Sequence, residues 1–244
     1  MASSKFVWVT RSSPYAFLTG HHLRSAGHKP LIAPVLAIRP VRYAPPEKPP
    51  DALIFTSTHG VQHHMFDVNL AEIPVYAVGR RTAMTARDAG YRNVNSADGN
   101  VSDLERLVAE KARPGCSIVH LGAVAPAGNL SACLNRRGFS ARHVAVYESI
   151  DIPSEKLRPA LAALPWIDGI TVHSPKAGRR LAGFLADCGD LWRGTAFCIS
   201  SAAAEPIRAI TDGPILIAQR PNEQALTTLI TADQEAALTL RDLP

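Results

Sequence analysis

Two similar segments of the chain each carry a serine that could bind an anion. Residues 51–60 read DALIFTSTHG, and residues 168–178 read DGITVHSPKAG. Both contain an aspartate, a short run rich in β-branched residues, and then a serine at the same distance from the aspartate. The two copies lie about half of the 244-residue chain apart. The pattern therefore indicates an internal duplication, with Ser57 and Ser174 in matching places.

The predicted chemistry follows from where such serines lie in an α/β protein. Ligands of open α/β sheets bind beyond the carboxyl ends of the strands. The free N–H groups at a helix start there favour carboxylates and phosphates. The candidate binding residues share this position at the loops after strands: Thr10, Arg11, Thr56, Ser57, Thr82, Gly122, Ser174 and Ser200. Each hydroxyl taken alone is more typical of a helix N-cap.

Tyr147 is the candidate for proton transfer. It lies in a β-rich run with Glu148 beside it, and a free phenol has a pKa of about 10. Taken alone, packing against a partner strand explains this tyrosine better. His120 and His173 end predicted strands and could also transfer protons, although a polar loop residue is the simpler interpretation.

The paired histidines predict no metal site. The doublets at 21–22 and 63–64 lie in helical stretches, where neighbouring side chains point about 100° apart. They are therefore predicted to be surface histidines.

Composition and the absence of several motifs reduce the number of functional classes that fit the sequence. With 46% hydrophobic and 19% charged residues, the chain suits a globular protein of one large domain or two ordinary ones. Its net charge of +5 is scattered, which favours an anionic small molecule over nucleic acid. Neither a dinucleotide or P-loop motif nor a GxSxG elbow occurs in the sequence.

Cysteine usage and hydropathy predict a cytoplasmic location. The four cysteines show no CxxC spacing, which is typical of reduced thiols. The first residues, MASSKFVWVT, lack the features of a signal peptide. No apolar run approaches the roughly 20 residues that cross a bilayer.

Alternating strand and helix patterns predict an α/β fold with parallel sheets. The predicted strands are 6–10, 31–33, 35–41, 53–56, 75–78, 118–121, 144–150, 170–173, 196–199 and 214–218. Of these, 35–41 contains Pro40 and is predicted to be an exposed or edge strand rather than a central one. The predicted helices are 14–27, 59–66, 79–89, 101–112, 129–137, 176–187, 202–210 and 223–231.

The order of these elements predicts two similar α/β lobes. The proline-rich stretch YAPPEKPP and the run VAVYES fall in equivalent slots of the two halves, so the chain is expected to cross between lobes twice. Residues 1–34 plus 153–244 form the predicted lobe 1, and residues 51–143 form lobe 2. Residues 35–50 and 144–152 are the predicted two-stranded β bridge, with a cleft between the lobes.

Six motifs in order carry a resemblance to a known family. They are VTRS, DALIFTS, VYAVGRRTA, VAVYES, DGITVHSPKA and AQRPNEQAL. Over nearly its full length the chain resembles the uroporphyrinogen-III synthases. The resemblance implies two α/β lobes joined by a two-stranded ladder, and neither a metal nor an organic cofactor. It implies that linear hydroxymethylbilane, which carries eight carboxylates, loses water and closes into uroporphyrinogen III with its last ring inverted.

The resemblance also implies roles for residues and partners. The family's tyrosine, which assists departure of the substrate hydroxyl, corresponds to Tyr147. The family's binding loops correspond to Thr10-Arg11, Thr56-Ser57, Thr82 and Ser174. The expected partner is the small-molecule substrate, with a transient handover from hydroxymethylbilane synthase, and not nucleic acid or a membrane. The expected state is a monomer.

Two other functions fit the residues. A non-catalytic or degenerate two-lobed protein could hold an anionic small molecule with the same loops, and only Tyr147 favours catalysis over binding. A glycosyltransferase with two α/β lobes is the second alternative, although its usual acidic metal or nucleotide motif is not evident in the sequence.

Overall fold

The computed structural model describes residues 4–126, 128–188 and 192–241, except for the side chains of 234–241. The predicted α/β class with parallel sheets is confirmed. Within the described residues, no helix is both long enough and apolar enough to cross a membrane.

Strands and helices alternate along most of the chain. The strands are β1 Phe6–Val9, β2 Lys29–Ile32, β3 Leu36–Pro40, β4 Ala52–Phe55, β5 Val75–Ala77, β6 Val94–Ser96, β7 Ser117–Ala123, β8 Ser140–Asp151, β9 Gly169–Val172, β10 Thr195–Cys198 and β11 Ile215–Ile217. The α-helices are α1 Tyr15–Ser25, α2 Thr58–His63, α3 Arg80–Asp88, α4 Val101–Lys111, α5 Leu130–Arg136, α6 Ser154–Ala162, α7 Pro175–Cys188, α8 Ser201–Arg208 and α9 Glu223–Arg241.

Two sheets organise two units of the chain. The first sheet has the order β11-β10-β9-β1-β2, and the second has the order β3-β8-β7-β4-β5-β6. The predicted edge position of β3 is confirmed. Contacts between Cα atoms group residues 1–37 with 150–244 in one unit, and residues 38–149 in the other. The chain passes between the units within β3 and within β8.

Both faces of each sheet are buried, which explains the continuous apolar runs of the central strands. In β1, Trp8 packs in one apolar cluster, while Val7 and Val9 pack in another. In β4, Leu53 and Phe55 face one cluster, and the alternate residues of the strand face a second. This alternation follows from the pleat, which points successive side chains to opposite faces.

The repeated segments make matching local contacts. Asp51, before β4, accepts a hydrogen bond from the backbone N–H of Ser117 at 2.8 Å. Asp168, before β9, accepts one from the backbone N–H of Phe6 at 2.6 Å. Each aspartate thus ties the start of its strand to the neighbouring strand. The duplication itself stays a prediction.

One α-helix and one strand were not predicted. The first is α6, with the 3₁₀ turn Leu164–Trp166 behind it. Pro159 lies inside this helix, and because proline is typical of helix breaks, it hides the helical period. The second is β6, whose three residues are too few to show an alternation.

Helix ends agree more closely with the prediction. The start of α4 agrees with the predicted helix 101–112, and Asn100 caps it in a reciprocal capping box with Asp103. Gly27 follows α1 with a φ of +84°, and the N–H of His28 returns to the carbonyl of Leu23 at 2.9 Å. This arrangement is the usual glycine C-cap.

At two glycines, the backbone conformation alone is expected to decide whether substitution by alanine raises or lowers the free energy of unfolding. At both Gly27 and Gly183, an added Cβ would meet no described atom within 4 Å. Gly27→Ala forces alanine into the left-handed region and should lower the free energy of unfolding by about 1 kcal/mol. Gly183→Ala, within α7, should raise it by about 0.5–1 kcal/mol. Urea unfolding followed by circular dichroism measures both, and shifts of the same sign would contradict this account.

Candidate active site

A β-bulge between β7 and β8 sets the direction of Tyr147. Gly122 pairs with Ala145, but Ala123 pairs with Tyr147, so Val146 is an extra residue in β8. Consecutive residues of a regular strand point to opposite faces, yet Val146 and Tyr147 pack in the same apolar cluster. A bulge can re-aim a side chain in this way. It turns Tyr147 towards the face that carries Leu53 and Phe55.

Tyr147 meets Ser57 on that face. The phenol oxygen lies 2.9 Å from the Ser57 Oγ, in the loop directly after β4. The side chain of Tyr147 is 8% exposed. Burial raises the pKa of Tyr147, and the hydrogen bond with Ser57 lowers it in part. The phenol therefore keeps its proton at neutral pH and can act as an acid.

Two histidines flank Tyr147: His59, which was not a candidate from the sequence, and His63, which was predicted to be a surface histidine. The ring centroids of His59 and His63 lie 5.6 Å and 6.1 Å from that of Tyr147. Both belong to α2, where a spacing of four residues places side chains on one face. That spacing within the predicted helix was the available signal.

The opposite face of the same sheet carries a second polar group. The Thr56 Oγ1 lies 3.0 Å from the His120 Nε2, and the His120 and His143 ring centroids are 4.9 Å apart. A Cβ added to Gly122 would lie 3.1 Å from the Nε2 of both histidines. Glycine at 122 therefore gives the two imidazoles their room. His120 lies inside β7, not at its end as predicted.

In the unit of residues 1–37 and 150–244, two predicted binding residues have internal partners. Thr10 is 1% exposed and donates its hydroxyl hydrogen bond to the carbonyl of Thr171 at 2.5 Å. Arg11 forms a salt bridge with Glu223 and lies 4.9 Å from the ring centroid of Tyr15. Both residues thus contribute to the structure of their own unit.

Glu223 is the buried charge in this network, and the sequence analysis assigned it no role. Its carboxylate accepts from the Thr19 hydroxyl at 2.5 Å and lies 3.3 Å from the His173 Nε2. Burial alone raises its pKa, but His173, Arg11 and Thr19 outweigh burial and bring the pKa to about 2. Glu223 is therefore ionised at neutral pH, and it fixes the loop after β1 against α9.

The three candidate serines all act as helix caps. Ser57 accepts from the N–H of Gly60, Ser174 from Ala177 and Ser200 from Ala203, at 3.1, 3.1 and 3.3 Å.

The predicted residues fall into two groups. In the unit of residues 38–149, Ser57 and Tyr147 meet on one face of the sheet, and Thr56 and Gly122 lie beside His120 on the opposite face. Thr10, Arg11, Ser174 and Ser200 belong to the other unit. Thr82 lies in α3 and is 5% exposed.

The prediction of surface histidines at 63–64 is wrong for His64. Its Nδ1 lies 2.8 Å from the Tyr43 hydroxyl, and its ring packs near Phe55 and Tyr91. Burial lowers the pKa of His64 to about 4. Among the described residues, no three His, Cys, Asp or Glu side chains are arranged to hold a metal ion.

Acid is expected to destabilise the unit of residues 38–149 through His120. Burial, and to a lesser extent His143, lower its folded pKa to about 4, whereas the unfolded side chain titrates near 6.5. The unfolded chain therefore binds a proton that the folded chain does not. The contribution of His120 to stability is present above about pH 6.5 and falls by about 3 kcal/mol as the pH drops to 4. His64, whose pKa burial also lowers to about 4, adds to the same dependence.

Urea unfolding at a series of pH values tests this expectation. His120→Gln should make the dependence of stability on pH between about 6.5 and 4 less steep, leaving the part that His64 contributes. The matched control is His21→Gln, because His21 is exposed, and it should keep the wild-type slope. An unchanged slope in His120→Gln would contradict the linkage.

Comparisons with known proteins place this geometry in a family. Residues 19–228 match the family model described as "Uroporphyrinogen-III synthase HemD". A search of curated proteins finds no match.

Two solved structures have a similar fold. One is the uroporphyrinogen-III synthetase of Helicobacter pylori, with 21% identity, a TM-score of 0.63, and coverage of 98% of this chain and 100% of that one. The other is a mutant uroporphyrinogen III synthase of the extreme thermophile Thermus thermophilus, with 16% identity, a TM-score of 0.60, and coverage of 97% and 100%. Because the family model matches most of the sequence, the chain belongs to the uroporphyrinogen-III synthase family.

Proposed function

We propose that the chain closes hydroxymethylbilane into uroporphyrinogen III, the reaction of its family, with Tyr147 as the proton donor. The observation that carries the proposal is the buried phenol of Tyr147, whose oxygen lies 2.9 Å from the Oγ of Ser57 beyond the carboxyl end of β4. Carboxyl ends of parallel strands are where α/β proteins bind ligands. The family implies a small tetrapyrrole substrate.

The first step is loss of the substrate hydroxyl. The C–O bond of the hydroxymethyl group breaks, its electron pair stays on oxygen, and the proton of Tyr147 completes a water molecule. The remaining azafulvenium cation is stabilised by its own pyrrole ring. Tyr147 becomes a phenolate, which regains a proton when a ring carbon releases one at the end of the reaction.

The second step is ring closure with inversion. Ring D attacks through its substituted carbon and gives a spiro intermediate, which rearranges to the type III product. The substrate supplies its own electrophile and nucleophile, so the protein contributes mainly the position of the two ends. In addition to this positioning, Tyr147 contributes general acid catalysis.

The eight substrate carboxylates call for donors spread over several loops. The predicted residues are Thr10, Arg11, Thr56, Ser57, Thr82, Gly122, Ser174 and Ser200. A capped helix start keeps further backbone N–H groups at its first positions, so Ser174 before α7 and Ser200 before α8 mark suitable sites. Arg11 contributes less free charge than its type suggests, since Glu223 neutralises it.

The remaining assignments belong to the same proposal. We take the protein as a cytoplasmic monomer that receives its substrate from hydroxymethylbilane synthase and binds no nucleic acid. The scheme of duplicated lobes, with residues 1–34 and 153–244 in one lobe and 51–143 in the other, is also part of it. The matching contacts of Asp51 and Asp168 support that scheme.

The reaction is tested with freshly made hydroxymethylbilane, because this substrate closes spontaneously to the type I isomer. The purified protein should yield mainly the type III isomer, faster than closure without protein. Chromatographic separation of the isomers after oxidation to porphyrins measures the ratio. Formation of the type I isomer alone, at the uncatalysed rate, would exclude synthase activity.

Tyr147→Phe is expected to slow type III formation without abolishing it. General acids typically contribute about 10²–10⁴-fold, and the self-stabilised cation places this reaction at the low end, about 10- to 100-fold in kcat. Positioning still operates in the variant. Initial rates with isomer analysis measure the change.

Tyr91→Phe is the matched control for this substitution. Tyr91 packs in the same apolar cluster as Tyr147, and its hydroxyl has no hydrogen-bond partner among the described residues. Removal of that hydroxyl should leave kcat unchanged. Equal losses in the two variants would mean that packing, and not proton donation, explains the effect of Tyr147.

A further inference from the structure

The hydroxyl of Ser57 has two hydrogen-bond partners, which together limit the directions of its hydrogen bonds. Its Oγ accepts from the backbone N–H of Gly60 at 3.1 Å and lies 2.9 Å from the phenol oxygen of Tyr147. A serine hydroxyl has one proton and two acceptor sites. With one acceptor site filled by Gly60, its proton remains available for the oxygen of Tyr147.

Donation in the opposite direction, from Tyr147 to Ser57, does not suit a role of Tyr147 as the proton donor. If Tyr147 donated to Ser57, its proton would be engaged and absent from the substrate. If Ser57 donates instead, the phenol proton points away from Ser57 and can reach a leaving hydroxyl. The direction must in any case be from Ser57 to Tyr147 once the phenol has lost its proton, because a phenolate only accepts.

We propose that Ser57 is a positioning residue that acts through Tyr147: it orients the phenol proton towards the substrate and then donates to the phenolate. This inference rests on the proposed function, and it gives Ser57 a role other than gripping a substrate carboxylate. Ser57 changes no bond or proton count in the loss of the substrate hydroxyl. Tyr147 gives its proton to the leaving oxygen, Ser57 keeps its own proton throughout, and the phenolate is later reprotonated from the ring carbon.

The surroundings of Tyr147 explain why such a donor matters. The phenol is 8% exposed, and burial penalises the phenolate while the Ser57 hydrogen bond favours it. Its ring neighbours in α2, His59 and His63, contact it through their rings. Hydrogen bonds to charged groups are among the stronger ones in proteins, so loss of this one should slow proton donation by about 10- to 100-fold.

A simpler role for Ser57 is that of a helix cap. Ser57 caps α2, and removal of a cap typically lowers stability. Asn100→Ala provides the matched control, because Asn100 caps α4 in the same unit with its own side chain. This variant loses a cap while leaving the contact between Ser57 and Tyr147 in place.

The experiment is a double-mutant cycle in the full chain. Ser57→Ala, Ser57→Thr, Tyr147→Phe and the double variant Ser57→Ala/Tyr147→Phe are compared for kcat and KM of type III formation. Ser57→Ala should lower kcat by about 10- to 100-fold with little change in KM, and Ser57→Thr should restore most of it. In the Tyr147→Phe background, Ser57→Ala should change kcat less than about twofold. Asn100→Ala should lower the unfolding midpoint and keep kcat.

A direct titration gives a readout independent of turnover. Tyrosine labelled with ¹³C at the hydroxyl-bearing carbon reports the ionisation of Tyr147, which Tyr147→Phe assigns by loss of its signal. In Ser57→Ala the pKa of Tyr147 should rise further, because the donor to its phenolate is gone. Ser57→Thr should return it towards the wild-type value.

Four outcomes would overturn the proposal while leaving synthase activity intact. If Ser57→Ala raises KM at constant kcat, Ser57 contacts the substrate. The same conclusion follows if Ser57→Ala lowers kcat equally in the wild-type and Tyr147→Phe backgrounds. A loss of kcat matched by Asn100→Ala would make it a cap only. An unchanged Tyr147 titration in Ser57→Ala would remove the donor role. A wild-type protein that forms only type I product would instead reject the proposed function, and this inference with it.

Discussion

The extra residue in β8 is the constraint on which the candidate active site depends. In a regular β8, Val146 would pair with Ala123, and the alternation would place Tyr147 on the face that carries Ala141 and His143. The bulge moves it to the other face, where Ser57 lies at the end of β4. One backbone irregularity thus decides whether a phenol and a hydroxyl meet. Bulges are frequent beside active sites for this reason.

The two units use polar side chains differently. In the unit of residues 38–149, neutral groups lie on β7, on β8 and in the loop after β4: the imidazole of His120, whose charge burial suppresses, the phenol of Tyr147 and the hydroxyl of Ser57. In the other unit, Glu223 stays ionised because Arg11 and its other partners outweigh the cost of burial. Proton chemistry fits the first setting, since a buried neutral acid keeps its proton. The second setting is typical of a rigid scaffold around loops that bind.

Features that depend on adjacent residues were predicted well, whereas features that depend on packing between distant residues were predicted poorly. The ends of α1 and α4 depend on adjacent residues, and the predicted ranges agree with the structure within two residues. Helix α6 was missed because Pro159 hides its period, although proline is tolerated there. His64 was expected at the surface, but Tyr43 and Phe55, distant in sequence, enclose it. Its burial depends on packing that no local pattern contains.

The sequence by itself determined the α/β class, the ends of most helices, the family resemblance, and Tyr147 and Ser57 as separate candidates. These follow from hydrophobic period, turn residues and the order of motifs, all of which lie along the chain. Only the tertiary structure decided that Tyr147 and Ser57 share a hydrogen bond, and that Arg11 already has Glu223 as its partner. The reason is physical: strand register and the bulge in β8 set which face a side chain takes. A shift of one residue would reverse that face without changing any motif.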